Sequence, residues 1–122
     1  VLAPANRIVR GDDYRSIVRR GRRSATAHVV VSVIAQRESG ASRFGFIVSK
    51  AVGNAVTRNL VRRRLKGIAH ELLQRKPDGV DVVIRALPAA AQASWPTLLA
   101  DVSQSFERSS RSTPAKTPME AA

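Results

Sequence analysis

The 122-residue sequence carries 21 Lys and Arg against 9 Asp and Glu, a formal charge of +12, with 43% hydrophobic residues and no Cys. That length and apolar content suit one domain with an ordinary core, the charge directs it toward polyanions, and the lack of Cys excludes disulfide frameworks and thiolate metal sites. Two isolated His, His28 and His70, are too few for a zinc cage, and no apolar run reaches the length of a membrane span or a secretory signal, so a cytosolic protein without a membrane partner is expected.

Residues 11–20 begin with Asp12 and Asp13, place Tyr14, Ile17 and Val18 at helical spacing, and run into Gly21. This predicts a short first helix with acids at its positive end and glycine as its stop. Residues 28–35 (HVVVSVIA) and 43–49 (RFGFIVS) predict two strands, paired as a hairpin with a mobile tip across the polar stretch 36–42. Across residues 54–75, Val61, Leu65, Ile68, Ala69, Leu72 and Leu73 recur at three- and four-residue steps, the pattern of a long amphipathic helix. Lys76, Pro77, Asp78 and Gly79 break it, and residues 80–85 (VDVVIR) predict a third strand, central or parallel because it is nearly all β-branched. A last helix starts near Ser94, which can cap it, with Pro96 in the first turn and Leu98, Leu99, Val102 and Phe106 as its apolar stripe. Residues 109–122 hold too little apolar content to fold, so a disordered tail is expected after a domain over residues 1–108.

The most informative stretch is residues 49–66, SKAVGNAVTRNLVRRRLK, where Arg58, Arg62, Arg63, Arg64 and Lys66 fall close together with no acid before Glu71. Arg58, Arg62 and Lys66 are four residues apart and form one stripe, whose like charges repel by about 0.2–0.5 kcal/mol per pair. A missing polyanion explains such a stripe better than helix stability does, although a solvated cationic face is the plain alternative. Asn59 adds a donor and an acceptor, Lys50 adds a cation, and Gly53 allows close approach or a positive φ before the helix. If Asn54 caps the helix, its first-turn N–H groups also suit a phosphate. A Walker-type loop is excluded, because Gly53 lacks the partner glycine and Lys at the required spacing.

This stretch resembles the signature helix of the ribonuclease P protein family, whose pattern runs approximately S-K-x-V-G-N-A-V-x-R-N-x-[IV]-[KR]-R-x-x-[KR]. Residues 6–21, NRIVRGDDYRSIVRRG, resemble the family's N-terminal helix region, and VDVVIRALPAA resembles the strand and proline turn after the signature helix. The resemblance spans residues 6–108. It implies a single-domain α+β sandwich with a central four-stranded sheet and a left-handed β-α-β crossover, so that residues 23–35 would bend or divide into two strands. It also implies two RNA surfaces. Lys50, Asn54, Arg58, Asn59, Arg62, Arg63 and Lys66 would bind a catalytic RNA, and Asn6, Arg7, Tyr14 and Arg15 would border a cleft for the single-stranded 5′ leader of precursor tRNA. The protein would be a monomer in a 1:1 complex with the RNA, non-catalytic by itself, and the RNA would hold the Mg²⁺ ions that activate water.

The sequence departs from the family at Leu60, where Arg often follows the signature Asn, which leaves a cationic contact missing or replaced by Arg64. Positions often aromatic in the cleft are Val18 and Ser32, leaving Tyr14 as the main platform, with Phe44 and Phe46 as further candidates and core packing the favoured reading for Phe46. A self-contained nuclease would pair His28 or His70 with Asp12, Asp13, Asp81 or Glu71, but no spacing brings such groups together. A ribosomal or other structural RNA-binding protein shares the charge and size without the signature.

Overall fold

The structure is a computed structural model that describes residues 2–111. Four strands form one mixed sheet: β1 (Arg22–Ala25), β2 (Val29–Ala35), β3 (Arg43–Ile47) and β4 (Val80–Ala86), in spatial order β1-β2-β4-β3. β2 is antiparallel to both β1 and β4, and β3 runs parallel to β4. Three α-helices complete the fold: α1 (Gly11–Arg20), α2 (Ala55–Arg75) and α3 (Trp95–Arg111). α2 connects β3 to its parallel neighbour β4, the long crossover that parallel pairing requires.

The strand residues alternate between two unequal faces. Val29, Val31 and Val33 of β2, Val80, Val82 and Ile84 of β4, and Phe44 of β3 face the main core, which α2 closes with Val61, Leu65, Ile68, Ala69 and Leu72 and α3 with Leu98, Val102 and Phe106. On the opposite face Val83 is buried with Ile8 and Ile17, flanked by Tyr14, Val18, Ile34 and Ile47, and α1 covers only part of it. Each fully buried Leu65, Ile68 and Leu72 contributes roughly 1.5–3 kcal/mol. That outweighs the repulsion along the arginine stripe by a wide margin, so α2 forms without its polyanion.

Two expectations need correction, and a third holds for a different reason. Residues 28–35 and 43–49 do not pair as a hairpin, because β4 lies between them. The hairpin partner of β2 is β1, which residues 22–25 form after the predicted 23–35 stretch divides at Thr26–His28. The 36–42 connection is therefore a strap, tied by Gln36, whose Nε2 donates to Ala41 O (3.1 Å) and to the Asp81 carboxylate (2.8 Å), while its Oε1 accepts the Gly40 N–H (2.9 Å). Gly21 does end α1, but with φ −72°. A Cβ there would lie 2.6 Å from Ile17 O and 3.0 Å from Val33 O, so glycine serves close approach to β2. Finally, α3 continues to Arg111 through the expected boundary at Ser109, and residues 112–122 of the expected tail lie outside the described residues.

Candidate nucleic-acid interface

The chain before α1 lies along the outer side of β3. Asn6 Nδ2 donates to Ser42 O (2.8 Å), Arg7 bridges Phe44 in parallel, and the Ile8 N–H donates to Phe44 O (3.0 Å). Asn6 is thus a tether at the start of β3, and Arg7 is set at the sheet edge. Tyr14 reaches the same edge from α1. Its hydroxyl accepts the Phe46 N–H at 3.1 Å, and its ring covers Gly45, where a Cβ would come within 2.6 Å of it. From the other layer, one turn apart on α2, come Arg62 and Lys66. These groups enclose a groove of about 220 Å³ lined by Arg7, Tyr14, Arg62 and Lys66 over Leu2, Ile8, Val9, Phe44 and Phe46. Among the described residues it carries three cations and no carboxylate. The arrangement offers phosphate partners beside an apolar floor and two partly exposed aromatic rings, Tyr14 and Phe46.

The signature residues do not all point into this groove. Lys50 is exposed on a short 3-10 turn (Lys50–Val52). Gly53 has φ 157° and ψ −167°, a conformation reserved for glycine, and a Cβ would press on Thr57 at 2.9 Å. Asn54 caps α2, its Oδ1 accepting the Thr57 N–H at 2.9 Å. Arg58 Nε donates to Gly53 O (3.1 Å), which braces the approach to the helix. Arg62 Nη1 donates to Asn59 Oδ1 (3.2 Å), and Arg63 stands exposed on the outer face. Arg64 does not replace the cation missing at Leu60, because its Nη1 donates to Ala93 O (2.8 Å) and holds the entry to α3.

A second, smaller concavity of about 100 Å³ opens on the part of the sheet that α1 leaves uncovered. Val18 and Ser32, positions that the resemblance relates to the leader cleft, line it, with Val30, Ile47 and Val83 as floor and the exposed Arg23 and Arg85 as rim. Sequence reading missed both arginines. Alternation along β1 and β4 places them on this face, but only once Arg23 is paired with Ser32 and Arg85 with Val30. Arg15 lies elsewhere: it is exposed and ion-paired with Asp12 on the side of α1 away from the buried Ile17. Phe44 is fully buried and offers no platform, whereas the half-buried Phe46 both packs on the core and lines the first groove.

Asp13, Asp81 and Asp101 are committed to other tasks. Arg43 grips Asp81 through Nε (3.0 Å) and Nη2 (2.7 Å) and reaches Asp13 of α1 at 3.5 Å. Burial raises the Asp81 pKa, but the hydrogen bonds from Arg43 and Gln36 and the Arg43 charge outweigh it, so the carboxyl titrates below its ordinary value. The same hydrogen bond raises Arg43. His28 Nδ1 meets Asp101 Oδ2 at 2.6 Å, with the Thr26 hydroxyl donating to the same oxygen at 2.9 Å; this clasp, which sequence spacing did not suggest, ties the β1–β2 turn to α3 and lines neither groove. Among the described residues no three His, Asp or Glu side chains are grouped to hold a metal ion, and no helix is long and apolar enough to cross a membrane.

Residues 2–110 match the sequence model of the Ribonuclease P family. The chain is 50% identical over 111 residues to the ribonuclease P protein component of Clavibacter michiganensis, covering 91% of this chain and 98% of that one. It is 48% identical over 107 residues to that of an Arthrobacter species, covering 88% and 79%. Its fold resembles the RNase P protein of Staphylococcus aureus (TM-score 0.76, 24% identity, 85% and 94% covered) and that of Thermotoga maritima (TM-score 0.68, 20% identity, 88% and 98% covered). With nearly the whole described chain matched and relatives close to half identical, this protein belongs to the ribonuclease P protein component family.

Proposed function

We propose that this subunit of ribonuclease P uses the outer face of α2 to bind the catalytic RNA and the two grooves to hold the single-stranded 5′ leader of precursor tRNA. One observation carries the reading: Arg7 and Tyr14 from the N-terminal region converge with Arg62 and Lys66 of α2 on one groove that has no carboxylate among its described lining residues. Arg62 and Lys66 then stand where the two RNAs meet, while Lys50, Asn54, Arg58, Asn59 and Arg63 lie further along the signature. Asn6 contributes by fixing Arg7, and Arg15 adds only to the field.

Mg²⁺ is assigned to the RNA. Asp13 and Asp81 both meet the Arg43 guanidinium, whose positive charge repels a divalent cation from that pair. The protein's part is to position and to screen: with a charge of +12 it lowers the repulsion between two polyanions, most at low salt. It acts as one protein per RNA, in the cytosol. The test is reconstitution. RNA-free protein should leave precursor tRNA intact, and adding the organism's catalytic RNA and Mg²⁺ should give cleavage at the mature 5′ end; specific 5′ processing by RNA-free protein would overturn the reading.

A further inference from the structure

The sheet has a second cationic flank, at β1, the edge opposite the Arg62–Lys66 groove. Alternation along β1 turns Arg22 and Ser24 toward the α3 layer and Arg23 toward the α1 layer, as their pairing with Val33, Val31 and Ser32 shows. Between β1 and the end of α3 lies a concavity of about 260 Å³ lined by Gly21, Arg22, Arg23, Ser24, Arg108 and Ser109, with no carboxylate among them. Arg19 and Arg20 end α1 immediately before Gly21. The Ser24 residue in the wall of the concavity is only 8% exposed, and its buried hydroxyl has no hydrogen-bond partner among the described residues. A buried hydroxyl without a partner is costly, and rotation of the Ser24 side chain toward an anionic oxygen in the concavity would supply the acceptor it lacks. Arg23 also lines the sheet-face groove together with Arg85, so the two concavities share a wall.

We infer that the β1–α3 concavity binds a phosphodiester of the precursor's leader, upstream of the nucleotides held on the sheet face. The inference rests on the leader-binding reading above and extends it from the grooves to a third position reached through Arg23. Its chemistry is that of a phosphate held by arginine forks and one hydroxyl, indifferent to base sequence.

The experiment measures binding of the reconstituted holoenzyme to uncleavable precursors with a long leader or a truncated one, and to mature tRNA, over a salt series. Arg22→Ala combined with Arg108→Gln should remove the advantage of the long leader and lower its slope of log K against log salt by about 1.4, at about 0.7 per lost contact. Binding of the truncated leader and of mature tRNA should not change. Ser24→Ala, which alters no charge, should weaken the long leader alone by a few-fold without lowering the melting temperature. A long-leader advantage that survives in the double variant overturns the inference. So does equal weakening of all three RNAs, which would assign the arginines to the catalytic RNA or the tRNA body. If the unaltered holoenzyme does not distinguish long from truncated leaders, the inference also fails. The leader-binding reading would still stand wherever the truncated leader binds better than mature tRNA.

Discussion

The Tyr14 hydroxyl accepts the Phe46 N–H at 3.1 Å, so the one aromatic side chain that α1 brings to the groove also closes the outer edge of β3. The ring can lie there only because residue 45 is glycine. Tyr14 therefore carries two separable roles. Tyr14→Phe should cost about 0.5–1.5 kcal/mol of stability through the lost hydrogen bond and keep leader binding. Tyr14→Leu should in addition weaken precursor tRNA by about 1–3 kcal/mol, the usual worth of a stacked base, and leave mature tRNA nearly unaffected. Urea unfolding and holoenzyme binding of both RNAs check this; equal losses with the two RNAs would make Tyr14 a packing residue only.

α2 separates Arg62 and Lys66, the cations proposed to meet RNA, from Arg64, which serves the fold. Arg62→Ala with Lys66→Ala should leave circular dichroism unchanged and reduce the salt slope of catalytic RNA binding by about 1.4. Arg64→Ala should leave that slope alone and cost about 1–3 kcal/mol of stability, because the Ala93 carbonyl loses its charged donor. Salt-series binding alongside thermal melts distinguishes them, and an unchanged slope in the folded double variant would make the stripe a solvated face.

The Asp81 carboxyl titrates lower in the folded protein than in the unfolded chain. Its contribution is therefore complete above the unfolded pKa, at neutral pH, and is lost as pH falls through the folded value, where the unfolded state binds the proton more readily. Asp81→Asn should cost about 1–3 kcal/mol at neutral pH, moderated by the partial exposure of Arg43, and should flatten the acid limb of stability against pH. Chemical denaturation from neutral to acid pH measures it, and an acid limb of unaltered steepness would remove Asp81 from the account.

Much of this was legible in the sequence for local reasons. The long helix, its Asn54 cap and the last helix follow from periodicity and capping chemistry, and the β-branched run at 80–85 correctly indicated a central strand. What failed was non-local. β1 reads RRSA, with only Ser24 buried, because an edge strand beside a helix end needs no apolar alternation. The hairpin between residues 28–35 and 43–49 was misassigned because the strand that separates them arrives after α2. Arg15 sits next to Tyr14 in sequence yet far around the helix, and the Arg64 partner is a carbonyl that only folding brings near. The rim arginines of the sheet face, Arg23 and Arg85, needed the strand register to be recognised.

The central claim is that the protein recognises the leader, and it is tested most directly by comparing the catalytic RNA alone with the holoenzyme for binding to precursor and to mature tRNA at one salt concentration. Adding the protein should tighten precursor tRNA strongly and mature tRNA little, with the gap shrinking as salt rises. An equal gain for both RNAs would contradict the account, because the grooves would then bind nothing that distinguishes a precursor from its product.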